Sequence, residues 1–455
     1  MRIAASFRDP AGFVFSENGS IYRQINKSYI EKYNLLLESG LFEKLTKDEL
    51  LVNHEEIGLE FAKTEDAALI IKPAIIPFVS YPYEWCFSQY KDAALATLNI
   101  HKLALNHNMV LKDASSYNIQ FYNGRPILID TLSFETYQEG SPWLAYGQFC
   151  RHFLAPLFLM AYKDYRLSAL MKVYIDGIPL DLASHLLRGK GGLSVYQHIH
   201  LHAAAVTKHS GSASNTHGKK RVAKISKFAH IALIESLIRI IERLKLPRTK
   251  TEWGEYYLTT NYTDKASISK REILSSMLCL AKAKSIWDLG ANDGTYSRLA
   301  ASTNAQTIAF DLDHMAIEKN YNFIKNNSIK NLLPLILDLN NPSPNIGFAN
   351  KERVAISERQ RPDLIIMLAV IHHMVISNNV PMPALAEWLA SISGNLIIEF
   401  VPKEDSQVKR LLETRDDIFV EYHETGFEKA FSQHFRIVAK QKIDETCRTL
   451  YFMSK

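Results

Sequence analysis

The chain has 455 residues, 47% apolar and 22% charged, with a formal net charge of +5. That length exceeds one ordinary core and implies two or three domains of ordinary globular composition. The charge is too mild to argue for nucleic acid, and four scattered cysteines, Cys86, Cys150, Cys279 and Cys447, exclude a disulfide scaffold or a paired-cysteine metal site.

The first residues lack the long apolar core of a secretory leader, and the most apolar run, Phe153–Tyr162, is about half the length of a bilayer span. A cytoplasmic location is the expectation. Phe13–Ser16 and Ser20–Ile25 flank Asn18-Gly19 and read as a hairpin, followed by a helix over Tyr29–Ser39. Ala74–Glu84 reads as a strand and hinge, and Tyr90–Asn106 as a long helix. Leu111–Ile119 then places Asp113 five residues before Asn118. Asn123-Gly124 is a second hairpin signal, pairing Asn118–Tyr122 with Pro126–Ile129 and bringing Asp130 beside Asp113 and Asn118. Taken alone, these three are as ordinary as turn residues.

In that order the segments resemble the protein-kinase-like fold, over about residues 10–190. The resemblance implies an α+β domain in which Asp113 positions an acceptor hydroxyl while Asn118 and Asp130 hold Mg²⁺ with ATP. The chain departs from the pattern. No Gly-x-Gly-x-x-Gly is present, and Arg23, Lys27 and Lys72 compete for the place of the strand lysine. An active and a degenerate domain are equally compatible with this.

Residues 188–192 and 209–221 are rich in Gly, Ser and Lys and read as exposed chain. Between them His198, His200 and His202 alternate without a carboxylate or cysteine at ligand spacing. Ile225–Lys245 carries an apolar stripe through Ile231, Ile234, Leu237, Ile238, Ile241 and Leu244. Two placements are open to this helix, peripheral on an anionic membrane or packed on a domain, and the second is the more ordinary. Trp253–Tyr257 and Asn261–Asp264 form an aromatic lead-in, suited to a lid or to packing, before a helix over Ser269–Ala281.

Ser285–Leu289 reads as a strand entering the turn Gly290-Ala-Asn-Asp-Gly294 and a helix. Further strands are Thr307–Asp311, Leu333–Leu337 ending at Asp338, Asp363–Leu368 running into His372-His373, and Asn395–Phe400. Helical stretches at Asp313–Asn326, Met382–Ser391 and Glu404–Glu413 alternate with them, which means a parallel sheet covered on both faces. Phe435–Ile443 and Thr449–Met453 read as a closing hairpin.

This half resembles the class I S-adenosylmethionine-dependent methyltransferases. Asp288-Leu-Gly-Ala-Asn-Asp-Gly294 is similar to their first motif, with Asn292 replacing a glycine that must accept left-handed angles. The resemblance implies a Rossmann-like doubly wound α/β sheet with an antiparallel final strand. It assigns cofactor contacts to Asp288, Gly290, Asn292, Gly294, Asp311 on the ribose, Asp338 on the adenine, and Leu368. His372 or His373 would be the catalytic base.

The expected organisation is a kinase-like domain over 1–208, a basic connector with the amphipathic helix over 209–250, and a methyltransferase domain over 251–455. The implied cofactor is S-adenosylmethionine, with ATP and Mg²⁺ in the first domain if that domain is active. A small-molecule or saccharide acceptor is expected, with the first domain as a substrate-binding or phosphotransferase-like module; the alternatives are a bifunctional kinase-methyltransferase and an RNA methyltransferase. Nucleic acid is disfavoured, since Lys and Arg form no stripe interleaved with aromatics.

Overall fold

A computed structural model describes residues 2–187, 224–247, 251, 262–413 and 415–455. It contains two compact units, Met1–Arg248 with Asn345–Val354, and Thr249–Pro344 with Ala355–Lys455. The stretches 188–192 and 209–221, the three alternating histidines, residues 253–257 and Asn261 lie outside the described residues.

Unit 1 begins with a hairpin of β1 (Gly12–Glu17) and β2 (Ser20–Asn26). Asn18 and Gly19 both take positive φ, as a two-residue turn between twisted strands requires. Helices α1 (Ile30–Glu38) and α2 (Leu41–Lys47) precede β3 (His54–Gly58) and β4 (Ala67–Pro73), and the sheet order is β1-β2-β4-β3, all antiparallel. The strand expected over Ala74–Glu84 is absent. The chain pairs earlier, as β4, and the later stretch is irregular because Pro77 and Pro82 offer no ladder N–H.

The 20-residue helix α3 (Phe87–Asn106) runs through the core of this unit, with Tyr90, Ala94, Leu98 and Leu105 buried. It leads to β5 (Met109–Leu111), the hairpin β6 (Ile119–Tyr122) and β7 (Arg125–Leu128), and β8 (Phe134–Thr136), which pairs with β5. Short helices α4 (Tyr146–Phe149), α5 (Ala155–Tyr162), α6 (Leu170–Val173) and α7 (Leu180–Leu186) follow. Seven of the eight α5 residues are buried, which is where its apolar run goes.

Helix α8 (Lys227–Arg243) belongs to unit 1 rather than to a connector. Its buried residues Ile234, Leu237 and Ile241 are used in packing on α3, so the stripe is not left for a membrane. The Lys91 ammonium donates to the carbonyls of Glu242 (2.7 Å) and Leu244 (3.0 Å), satisfying the helix end. No helix among the described residues is long and apolar enough to cross a membrane.

Unit 2 opens with α9 (Asp264–Ala281), begun five residues before the expected start because Thr263 caps it, accepting from the Ala266 N–H at 3.1 Å. Then come β9 (Ser285–Leu289), α10 (Thr295–Ala301), β10 (Gln306–Asp311), α11 (His314–Asn326), β11 (Leu332–Ile336), β12 (Leu364–Met367), α12 (Met382–Ile392), β13 (Asn395–Phe400), α13 (Ser406–Leu412), α14 (Glu424–Phe431), β14 (Arg436–Lys442) and β15 (Thr449–Ser454). The sheet order is β11-β10-β9-β12-β13-β15-β14. The first five are parallel, and β15 runs antiparallel to both neighbours. The chain steps outward from β9 through β10 to β11, then returns to the other side of β9 as β12. That reversal opens a crevice beyond the carboxyl ends of β9 and β12.

Candidate active site

A cavity of about 330 Å³ occupies unit 2 at this crevice. Each strand end contributes to its wall: Asp288, Gly290 and Asn292 after β9, Asp311 and Leu312 after β10, Asp338 and Asn340 after β11, and Leu368 with His373 after β12. Gly294 and His372 do not line it.

Of the two turn glycines, Gly290 lines the cavity and Gly294 does not. Gly290 has φ +84°, and a Cβ there would meet Val370 Cγ2 at 2.2 Å, so the side chain it avoids is the wall after β12. Gly294, at φ +80°, avoids Asn320, whose amide a Cβ would meet at 2.3 Å. Its role is the seating of α10 on α11. Asn292 adopts φ +51°, the left-handed conformation expected of it. Its N–H donates to Asp311 Oδ2 at 2.7 Å, and the Asp313 N–H to Oδ1 at 2.8 Å, which fixes the Asp311 carboxylate plane. Asp338 accepts from the Asn340 N–H at 2.8 Å, turning the loop that carries it into the wall.

Asp288 is 1% exposed and accepts from Ser297 Oγ at 2.6 Å. Burial, with the nearby Asp311 charge, raises its carboxyl to about 7 despite the Ser297 bond. Burial likewise raises Asp311 to about 6, against the backbone N–H groups of Asp313 and Asn292. Three carboxylates in one cavity, Asp288, Asp311 and Asp338, with apolar Leu312, Leu337, Leu368 and Met374 around them, suit a ligand that brings hydroxyls and positive charge. Burial lowers His373 to about 4, helped by the Arg448 charge, so its imidazole is neutral near pH 7. His372 is 2% exposed, its ring 4.1 Å from that of His373, and burial pushes it well down.

Sequence reasoning missed the charged side of this cavity. Lys270 on α9 lines it together with Tyr262 and Tyr296, its ammonium 4.9 Å and 4.7 Å from their ring centres. Lys270 pairs with the fully buried Glu399 at 2.7 Å, and Arg448 joins Glu399 (3.4 Å) to Asp405 (2.7 Å). Tyr262 donates to Glu399 and accepts from Arg448. Tyr262 was visible as part of the aromatic lead-in. Lys270 carried no signal, being one lysine in a helix whose ionic partner Glu399 arrives from β13.

In unit 1 the structure does bring Asp113, Asn118 and Asp130 together. Asp130 and Arg23 form an ion pair, with side chains 14% and 10% exposed. Burial raises Asp113, and the Asp130 charge adds to this. Asp130 itself is lowered, because Arg23 and the hydroxyl of Ser133 outweigh its burial. Arg23, on the strand before α1, is the cation that meets the acids.

The second unit is thus a doubly wound, Rossmann-like α/β unit with a carboxylate-bearing cavity at its switch point. No family model matches the chain. The chain is 33% identical over 456 aligned positions to nodulation protein NoeA of Rhizobium meliloti (strain 1021), covering 99% of this chain and 95% of that protein. It belongs to the NoeA family. Among solved structures, the bifunctional kinase-methyltransferase WbdD is 19% identical over 42% of this chain and 40% of its own, with a TM-score of 0.29. Magnesium protoporphyrin IX methyltransferase (ChlM) from Synechocystis PCC 6803 is 15% identical over 43% and 89%, with a TM-score of 0.31. N-methyltransferase NodS from Bradyrhizobium japonicum WM9 is 12% identical over 41% and 97%, with a TM-score of 0.29. The fold of unit 2 is defined by its strand order and by the antiparallel β15.

Proposed function

We propose that unit 2 transfers a methyl group from S-adenosylmethionine to a small-molecule or saccharide acceptor, with unit 1 as the module that grips the acceptor. The observation that carries this reading is the cavity that joins Asp288, Asp311 and Asp338 at successive strand ends, in a sheet whose last strand is antiparallel. That strand direction is what the methyltransferase resemblance implies and a dehydrogenase sheet lacks.

The bound cofactor supplies an activated methyl on a sulfonium. The chain's own residues hold and align. Asp311 takes the ribose hydroxyls, Asp338 the adenine side, and Asp288 faces the positive charge. Leu368 and Met374 keep water from the reacting centre. His373, neutral and in the wall, accepts the acceptor's proton, whereas buried His372 supports its neighbour. A cytoplasmic setting, where this cofactor is at hand, belongs to the same proposal.

Calorimetry with S-adenosylmethionine on the full chain tests the reading, and absence of binding overturns it. The proton role has a separate test. His373→Ala should lower turnover by about 10²–10⁴-fold while leaving cofactor affinity unchanged. Unchanged turnover removes His373 from the chemistry without touching the cofactor assignment.

A further inference from the structure

The acidic cluster of unit 1 has the residues expected to hold Mg²⁺ with ATP, and its donors do not fit that ion. Mg²⁺ demands near-octahedral oxygen ligands at about 2.0–2.1 Å, each with a lone pair to give. Asp130 Oδ1 already takes the Arg23 guanidinium and the Leu132 N–H at 3.1 Å, and Oδ2 takes the Ser133 hydroxyl at 2.6 Å. Asp113 Oδ1 takes the Ser115 N–H at 2.9 Å and the Gln148 amide at 2.7 Å. The Asn118 amide nitrogen donates to Ser133 Oγ at 3.5 Å.

The cation among these acids is covalently part of the chain. Arg23 projects from β2 between Asp130 and Asp9, the latter at 3.6 Å. A guanidinium stays charged at any working pH, and moving it off Asp130 strands a buried charge. The sequence also carries no Gly-x-Gly-x-x-Gly run to cradle phosphates.

We infer that the Asp113–Asn118–Asp130 cluster takes no divalent cation, that Arg23 is its permanent counter-ion, and that unit 1 does not transfer a phosphoryl group from Mg²⁺–ATP. This stands apart from the methyl-transfer reading, since cofactor calorimetry on unit 2 is blind to it.

The test uses the full-length protein and Mn²⁺ as a paramagnetic probe, with thermal melts in ATP plus Mg²⁺ and in EDTA. The wild-type Mn²⁺ isotherm should superimpose on that of Asp130→Asn, and ATP plus Mg²⁺ should leave the melting temperature where EDTA leaves it. Arg23→Gln should gain a Mn²⁺ site, which the added Asp130→Asn change removes. Mn²⁺ or Mg²⁺–ATP binding by the wild type that Asp130→Asn abolishes overturns the inference. A folded Arg23→Gln protein without a new site overturns the assignment of Arg23 as the excluding cation. Should Arg23→Gln fail to fold, the comparison of wild type with Asp130→Asn decides alone.

Discussion

Each unit gathers buried aspartates at the ends of strands or hairpins, and Asp130 of unit 1 is neutralised in a way that Asp288 and Asp311 of unit 2 are not. In unit 1, Asp130 has a guanidinium against it and sits below the ordinary carboxylate range. In unit 2, Asp288 and Asp311 share a cavity and sit well above that range, at about 7 and about 6. The nearby ammonium, Lys270, is already engaged with Glu399. A carboxylate given its counter-ion by the fold is a structural element. One kept short of charge compensation in a cavity is poised for a ligand that completes it.

The sharpest break of this contrast comes from the ion network behind the cavity. Arg448 is 1% exposed and holds Glu399 and Asp405. Arg448→Met leaves buried Asp405 without its ionic partner and Glu399 with Lys270 alone, and should destabilise the protein by about 3–5 kcal/mol in chemical denaturation. A loss below about 1 kcal/mol, typical of exposed pairs, would show that the network is solvated.

Next in size is a pH effect whose sign differs between Asp130 and the acids of the unit 2 cavity. Asp288 and Asp311 hold protons when folded that the unfolded chain releases near pH 4. The folded state therefore binds more protons between about pH 4 and 7, and the ligand-free protein loses stability from this pair as pH rises through that window. Asp130 works in reverse: its contribution is present above its unfolded value and is lost as pH falls through its depressed folded value. S-adenosylmethionine affinity should rise over the window in which ligand-free stability falls. Melts and titrations across pH 5–8 check both, and a flat affinity profile would show that the cavity acids ionise without the ligand's help.

Asp311→Ala should weaken S-adenosylmethionine binding by about 2–3 kcal/mol in calorimetry, the range of a charge-assisted contact to a diol. Intact affinity would reassign this carboxylate to bracing Asn292 and Asp313. The smallest expected effect is at Ala369, a non-glycine cavity residue at φ +54°. Ala369→Gly should stabilise the ligand-free protein by up to about 1 kcal/mol, because the methyl is strained there. Destabilisation instead would mean that the alanine side chain is needed for packing.

The sequence carried the periodic parts of both units. The strands of the second unit were legible from apolar runs ending on Asp288, Asp311 and Asp338, and the unit 1 hairpins from Asn-Gly pairs. Less local features escaped. Strand β3, half exposed and reading His54-Glu-Glu-Ile-Gly58, lacks the alternation that marks a strand. Helix α14 lay between stronger signals. That the side chain packed against Gly294 is Asn320 was not legible, because it comes from another helix.

What the sequence by itself determined is local and directional: strand–turn–helix units, left-handed turn positions, and acids at strand ends. Those follow from backbone sterics and side-chain periodicity, which act over a few residues. Only the tertiary structure decided how the charges pair. Tyr262 meets Glu399 across 137 residues and Arg448 across 186, and Arg23 reaches Asp130 from another sheet. Such pairing sets which aspartate is satisfied and which waits for a ligand, since Coulomb energy depends on distance and burial in the fold and not on separation along the chain.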